Sequence, residues 1–203
     1  MPNLEYEERL YAEGYTAVCG TDEAGRGPLC GPVVAAAVIL PRGCEIEGLN
    51  DSKKLSEKKR EALFSVITER AVAYAIASAS PAEIDEMNIL NASMLAMRRA
   101  VEALAVRADF VLIDGNCSRG FDIPTATLVG GDAKSSSIAA ASILAKVTRD
   151  RICIEDDAKY PEYNIKKHKG YPTREHMDAV RKYGPSEIHR RSFLKFLGND
   201  GNT

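Results

Sequence analysis

Three apolar stretches of this chain stop at acidic residues. Asp22-Glu23 follows Tyr15–Thr21, Asp114 follows Phe110–Ile113, and Asp132 follows Gly130-Gly131. A carboxylate at the end of a buried segment needs a partner or solvent. Taken singly, these are an acidic loop tip, an Asp-Gly turn and a helix N-cap. Taken together, four carboxylates at element ends could converge. They would then raise one another's pKa unless a cation sat among them. Oxygen-only donors select hard cations, Mg²⁺ or Mn²⁺, rather than zinc. Two such ions roughly 3.5–4 Å apart clamp the attacking and leaving oxygens of phosphoryl chemistry. Asp22 and Glu23 are neighbours, and neighbours on a strand face opposite ways. For both to serve, the chain must leave strand geometry there, which Gly25 and Gly27 permit. Gly20–Gly27 has the spacing of a phosphate-binding loop, but it lacks the lysine and the Ser/Thr and would put two acids in the cradle. That reading is rejected.

The elements that must position these acids alternate. Tyr15–Thr21, Pro32–Leu40 and Ala71–Ser80 read as strands, with Asp109–Ile113 and Thr125–Val129 as two more. Ser56 is a good N-cap and opens a helix. Pro81 opens a short one, and Ile89–Val106 forms a longer one with Leu90, Met94, Met97, Val101 and Leu104 along its core side. Ala133 to about Asp157 is a long helix whose small first residues let it lie tight against a sheet, and Thr173–Tyr183 is the last. Two early strands joined by a Gly/Pro-rich turn suggest an antiparallel pair. Strand, long helix, strand suggests parallel crossovers, hence a mixed α/β fold.

The 203 residues are 45% hydrophobic and 28% charged, ordinary globular composition that excludes a disordered tail or a disulfide scaffold. A single domain is expected, with a core over about 15–157 and a helical, basic part over about 158–203. The longest apolar run, Val33–Leu40, is eight residues, against about 20 for a membrane helix. The start, Met1–Glu8, is acidic and unlike a signal peptide. Five cysteines without a C-x-x-C pair read as reduced thiols of a cytoplasmic protein. His168, His176 and His189 lack zinc-site spacing. Net charge is −2, but residues 159–203 carry ten Lys/Arg against five Asp/Glu, an asymmetry that suits a polyanion.

Thr21-Asp-Glu-Ala-Gly-Arg-Gly-Pro28 resembles the signature of the ribonuclease HII family. So do Asn50–Leu55, Val111–Gly115, Gly131–Ser135, Ala140–Lys146, Lys169–Thr173 and His189–Phe193, in order along nearly the whole chain. The resemblance implies an RNase H-like fold, a central mixed sheet flanked by helices with a helical C-terminal part. It implies an endonuclease that cuts the RNA strand of RNA/DNA hybrids and nicks 5′ of single ribonucleotides in duplex DNA, leaving 5′-phosphate and 3′-hydroxyl ends. It maps the family's metal-binding acids onto Asp22, Glu23, Asp114 and Asp132, its Gly-Arg-Gly onto Gly25, Arg26 and Gly27, and its substrate tyrosine onto Tyr171.

These roles are chemically sensible. The 2′-hydroxyl that separates RNA from DNA both donates and accepts. Backbone beside two glycines can approach a ribose closely, Arg26 can grip phosphate or sugar, and Tyr171 offers a ring face and a hydroxyl. Lys53 is a candidate phosphate contact, and the basic C-terminal part could track the duplex. The expected cofactor is Mg²⁺ or Mn²⁺, with no membrane and no obligate protein partner. Only 21 residues precede Asp22, too few for the extra domain of the ribonuclease HIII type. Phe193–Leu197 lacks the glutamine of a sliding-clamp peptide, so clamp docking is not expected. The alternatives are a DNA-directed nuclease of this fold, disfavoured by Arg26 and Tyr171, and a hybrid-binding protein without catalysis, disfavoured by the four acids.

Overall fold

The computed structural model describes residues 1–198, so the last five residues of the expected 158–203 part lie outside the described residues. Five strands form one sheet: β1 (Val18–Ala24), β2 (Val33–Ile39), β3 (Ala73–Ala79), β4 (Phe110–Asp114) and β5 (Thr125–Leu128). Their order is β3-β2-β1-β4-β5. The first three pair antiparallel, and β1–β4 and β4–β5 pair parallel.

Both faces of this sheet are covered, so its central strands are apolar throughout rather than alternating. In β2, Val33, Ala35, Ala37 and Ile39 face helix α3 (Pro81–Glu102), while Ala36 and Val38 face α2 (Glu57–Arg70) and α4 (Ser136–Lys159). Helix α3 breaks at Asn88, which has φ 68° and whose Oδ1 accepts the Leu90 and Asn91 N–H groups. The short and long helices read from the sequence are therefore its two halves. Met94, Met97, Val101 and Leu104 are buried as expected, but Leu90 is 38% exposed.

Helix α4 approaches β1 so closely that a Cβ on Gly20 would overlap the Ser137 and Ile138 backbone. It begins at Ser136, capped by Ser135, whose hydroxyl oxygen accepts the Ile138 N–H at 3.2 Å. Asp132 is thus not its N-cap but lies in a preceding 3-10 turn, Gly131–Ala133. An unforeseen helix, α1 (Glu5–Ala12), packs Leu10 with Val18, Phe110, Leu112 and Ile138.

The C-terminal part contains α5 (Ile165–His168), α6 (Arg174–Tyr183) and short 3-10 turns. Its core joins Tyr163, Ile165, Val180 and Leu194 to Leu29 and Cys30 of the β1–β2 connection and Cys153 of α4. Phe193, Phe196 and Leu197 pack against this cluster. No helix among the described residues is long and apolar enough to cross a membrane.

Candidate active site

The acids meet because parallel strands deliver their C-terminal ends to one edge of the sheet. The β1–β4 ladder stops at Thr21↔Ile113, whereas β1 stays paired with β2 through Ala24↔Val34. Beyond Thr21 one side of β1 is open, and Asp22 and Glu23 both line the cleft there, as does Asp114 from β4. The expected departure from strand geometry at Asp22 is therefore corrected. The ladder continues, and the backbone turns only at Gly25, with φ 96°.

The cleft has a volume of about 320 Å³. Besides these three acids, Gly25, Arg26, Gly27, Lys53 and Tyr171 line it. Asp132, 7% exposed, flanks it next to Asp114, Asp51 and Lys53. Of the site residues singled out from the sequence, all but Asp132 line this cleft, and Asp132 lies within electrostatic reach of Asp114 and Lys53, which do.

Crowded carboxylates in a buried setting resist ionisation. Burial raises the Asp22 pKa well above the carboxylate range, and the charges of Glu23 and Asp114 add to this. Burial raises Glu23 too, against the pull of Arg26, which pairs with it at 3.3 Å. Asp132 is raised by burial and then by Asp51 and Asp114. Burial depresses the Lys53 ammonium, but Asp22, Asp132, Asp51 and Asp114 outweigh it and raise its pKa. An all-oxygen donor set that carries this much unrelieved repulsion fits a hard divalent cation.

The loop after β1 is held by a buried arginine. Arg190, with no exposed surface, donates to the carbonyls of Gly25 (2.6 Å), Arg26 (2.9 Å), Pro28 (2.8 Å) and Gly31 (2.9 Å). Burial, and then the charge of Arg149, pushes its pKa down to about 9. Arg149 in turn donates to the Cys30 carbonyl at 2.7 Å. Tyr171 is 47% exposed, with its ring edge 3.2 Å from where a Gly27 Cβ would stand.

The histidines brace the Tyr171 loop. His176 Nδ1–H donates to the carbonyls of Gly170 (3.0 Å) and Tyr171 (3.1 Å). The Ser186 N–H donates to His189 Nδ1, which leaves the His189 proton on Nε2, 3.2 Å from His176 Nε2. Cys30 joins this buried pair within 4.8 Å, but the histidine nitrogens are engaged with each other and with the backbone.

Arg190, Arg149, Asp51 and Ser142 were not singled out from the sequence. Arg190, Asp51 and Ser142 lie inside blocks that the family resemblance rests on, His189–Phe193, Asn50–Leu55 and Ala140–Lys146, which was the available signal. Ser142 lines the cleft and its hydroxyl meets that of Ser52 at 2.8 Å.

The family model for ribonuclease HII matches residues 19–196. The chain is 58% identical to ribonuclease HII of Desulfitobacterium hafniense over 190 residues, 94% of this chain and 73% of that protein. It is 54% identical to ribonuclease HII of Caldicellulosiruptor bescii over 192 residues, 95% of this chain and 93% of that one. Among solved structures, the ribonuclease H2 of Pyrococcus horikoshii superposes with a TM-score of 0.74 at 29% identity, over 91% of this chain and 98% of that one.

Proposed function

The chain belongs to the ribonuclease HII family, metal-dependent endonucleases that act on RNA/DNA hybrids, and on that premise we propose that it also nicks duplex DNA 5′ of single embedded ribonucleotides, with two divalent cations held by Asp22, Glu23, Asp114 and Asp132. The observation that carries this reading is the convergence of those acids with Gly25, Arg26, Gly27, Lys53 and Tyr171 around one cleft.

Bound Mg²⁺ or Mn²⁺ supplies Lewis acidity and a water of lowered pKa, so no histidine base is needed. The four acids fix the cations, and binding relieves the burial and mutual repulsion that raise the pKa values of Asp22, Glu23 and Asp132. The backbone of Gly25 and Gly27 approaches the ribose 2′-hydroxyl, a contact that the four Arg190 bonds preorganise. Arg26 grips the adjacent phosphate or sugar. Tyr171 packs its exposed ring on the sugar of the next nucleotide, which makes the junction between ribonucleotide and deoxyribonucleotide readable. Lys53 faces a scissile-strand phosphate, and the basic part from about residue 158 onward follows the duplex backbone. Products are 5′-phosphate and 3′-hydroxyl. This chemistry serves removal of ribonucleotides from DNA, in repair and replication. The five unpaired cysteines suit a reducing compartment, so we place the enzyme in the cytoplasm. It needs no obligate protein partner for this reaction.

The test is a DNA duplex with one internal ribonucleotide, incubated with the protein in Mg²⁺ and, as control, in EDTA. The expected result is a metal-dependent nick on the 5′ side of the ribonucleotide. Cleavage of a long hybrid without that nick would remove the junction-reading role of Arg26 and Tyr171.

A further inference from the structure

Glu7 is a carboxylate in the interior that forms no ion pair among the described residues. It is 1% exposed, whereas Glu5 and Glu8 on the same helix are exposed. Burying a carboxylate is costly unless donors surround it, and here the donors all come from one place. Glu7 Oε1 accepts the Ser135 hydroxyl at 2.6 Å, the Ser137 N–H at 3.0 Å and the Ser137 hydroxyl. Its second oxygen is buried without a hydrogen-bond partner among the described residues. A carboxylate suits this position, because the first turn of α4 presents N–H groups without partners inside the helix and the positive end of the helix dipole.

The site of attachment matters more than the attachment. Ser135 caps α4 and lies three residues after Asp132, and its N–H donates to the Gly131 carbonyl at 2.8 Å. Asn3 straps the same segment: its N–H donates to the Lys134 carbonyl at 3.1 Å, and its carbonyl accepts the Ser136 N–H at 2.9 Å. On the other side, Ser137 abuts Gly20, two residues before Asp22. The carboxylate therefore grips the point where the Asp132 turn, the start of α4 and β1 come together.

We infer that Glu7, outside the segment 19–196 matched by the family model, is a positioning residue that sets Asp132 against Asp22 and Asp114 through the first turn of α4. The inference rests on the reading of Asp132 as a cation ligand. Outer residues that orient metal ligands typically change metal affinity about 10- to 100-fold when removed.

The experiment measures Mn²⁺ binding to the full chain without substrate, by electron paramagnetic resonance, in wild type, Glu7→Ala, Glu7→Gln and Asp132→Asn. Each is first checked for native circular dichroism at the working temperature. Glu7→Ala is expected to weaken Mn²⁺ binding about tenfold, with hybrid-duplex binding in EDTA unchanged. Glu7→Gln keeps an accepting oxygen and should recover most of the affinity. Wild-type Mn²⁺ affinity in folded Glu7→Ala, beside weakened binding in Asp132→Asn, overturns the inference and leaves Glu7 as a support of the fold. Unchanged binding in Asp132→Asn instead overturns the ligand reading itself. If Glu7→Ala does not fold, Ser137→Ala decides, because it removes one donor from the same junction. Weakened binding in that variant supports the inference and unchanged binding overturns it.

Discussion

Asp114 Oδ1 accepts the backbone N–H of Gly131 at 2.6 Å. One carboxylate at the end of β4 is thereby tied to the turn that carries another, Asp132. The residue at 131 has little latitude. A Cβ there would stand 2.6 Å from Ile138 Cδ1, 3.1 Å from Leu128 Cβ and 3.2 Å from Asp114 Oδ1. Gly131→Ala should destabilise the protein by about 1–3 kcal/mol through overpacking. It should also lower kcat about 10- to 100-fold by shifting both acids. Thermal melts and steady-state kinetics on a hybrid check this, and full activity with a lowered Tm would separate packing from the site.

Asp114→Asn and Asp132→Asn should each reduce cleavage to background while leaving hybrid binding largely intact, because the acids hold cations rather than the duplex. Filter binding in EDTA beside cleavage in Mg²⁺ distinguishes the two. Wild-type rates from either variant would sink the four-acid assignment.

Stability should depend on pH in opposite senses at two places. Asp22, Glu23 and Asp132 have raised folded-state pKa values, burial being the largest cause in each. Such groups stabilise the fold fully below the ordinary carboxylate range, and that contribution is lost as pH rises through the folded values. The buried histidines behave oppositely. Burial, then His176, holds His189 down at about 4, and burial lowers His176. Their contribution is complete above the ordinary imidazole range and is lost as pH falls toward 4. The acids' contribution to the metal-free Tm should therefore decline as pH rises above the ordinary carboxylate range, and either Mg²⁺ or Asp22→Asn should lessen that decline. Melts in EDTA and in Mg²⁺ over about pH 5–9 test this. A dependence of Tm on pH indifferent to both would contradict it.

Tyr171→Ala should leave the melting temperature nearly unchanged, because the side chain is 47% exposed. A base stacked on an aromatic ring contributes about 1–3 kcal/mol, and with packing on a sugar at the lower end of that range, nicking at a single ribonucleotide should fall roughly tenfold. Cleavage of long hybrids should fall less. Equal losses on both substrates would mean that Tyr171 does not read the junction.

Arg190→Lys retains a charge but not the planar fork that reaches four carbonyls. Each carbonyl left buried and unpaired costs about 1–3 kcal/mol, so a fall in stability of several kcal/mol is expected, with a raised KM for the single-ribonucleotide duplex. Denaturant melts and kinetics at low temperature separate the two effects. An unchanged KM would show that the loop keeps its shape without this brace.

Local chemistry made much of the molecule legible in advance. Apolar strands ending in Asp22, Asp114 and the Gly130-Gly131 turn, the Pro81 helix start and the small residues at the front of α4 are nearest-neighbour patterns. The physics behind them, burial periodicity and helix starts, acts over a few residues. The short helix opened by Pro81, the longer one from Ile89 and the mixed sheet were readable for the same reason, but not that Asn88 joins the two helices into one kinked α3. Helix α1 was not, because an eight-residue helix is marginal by itself and forms only through the packing of Leu10. Nor could the sequence tell that Glu7 and Arg190 are interior while Glu8 and Arg191 are exposed. Arg190 is satisfied by carbonyls 159–165 residues away, and Glu7 by serines 128–130 residues away. The types and order of the reacting groups are written in the chain. Their convergence, the raised pKa values of Asp22, Glu23 and Asp132, and the charges buried to hold them exist only once distant segments exclude water from one another.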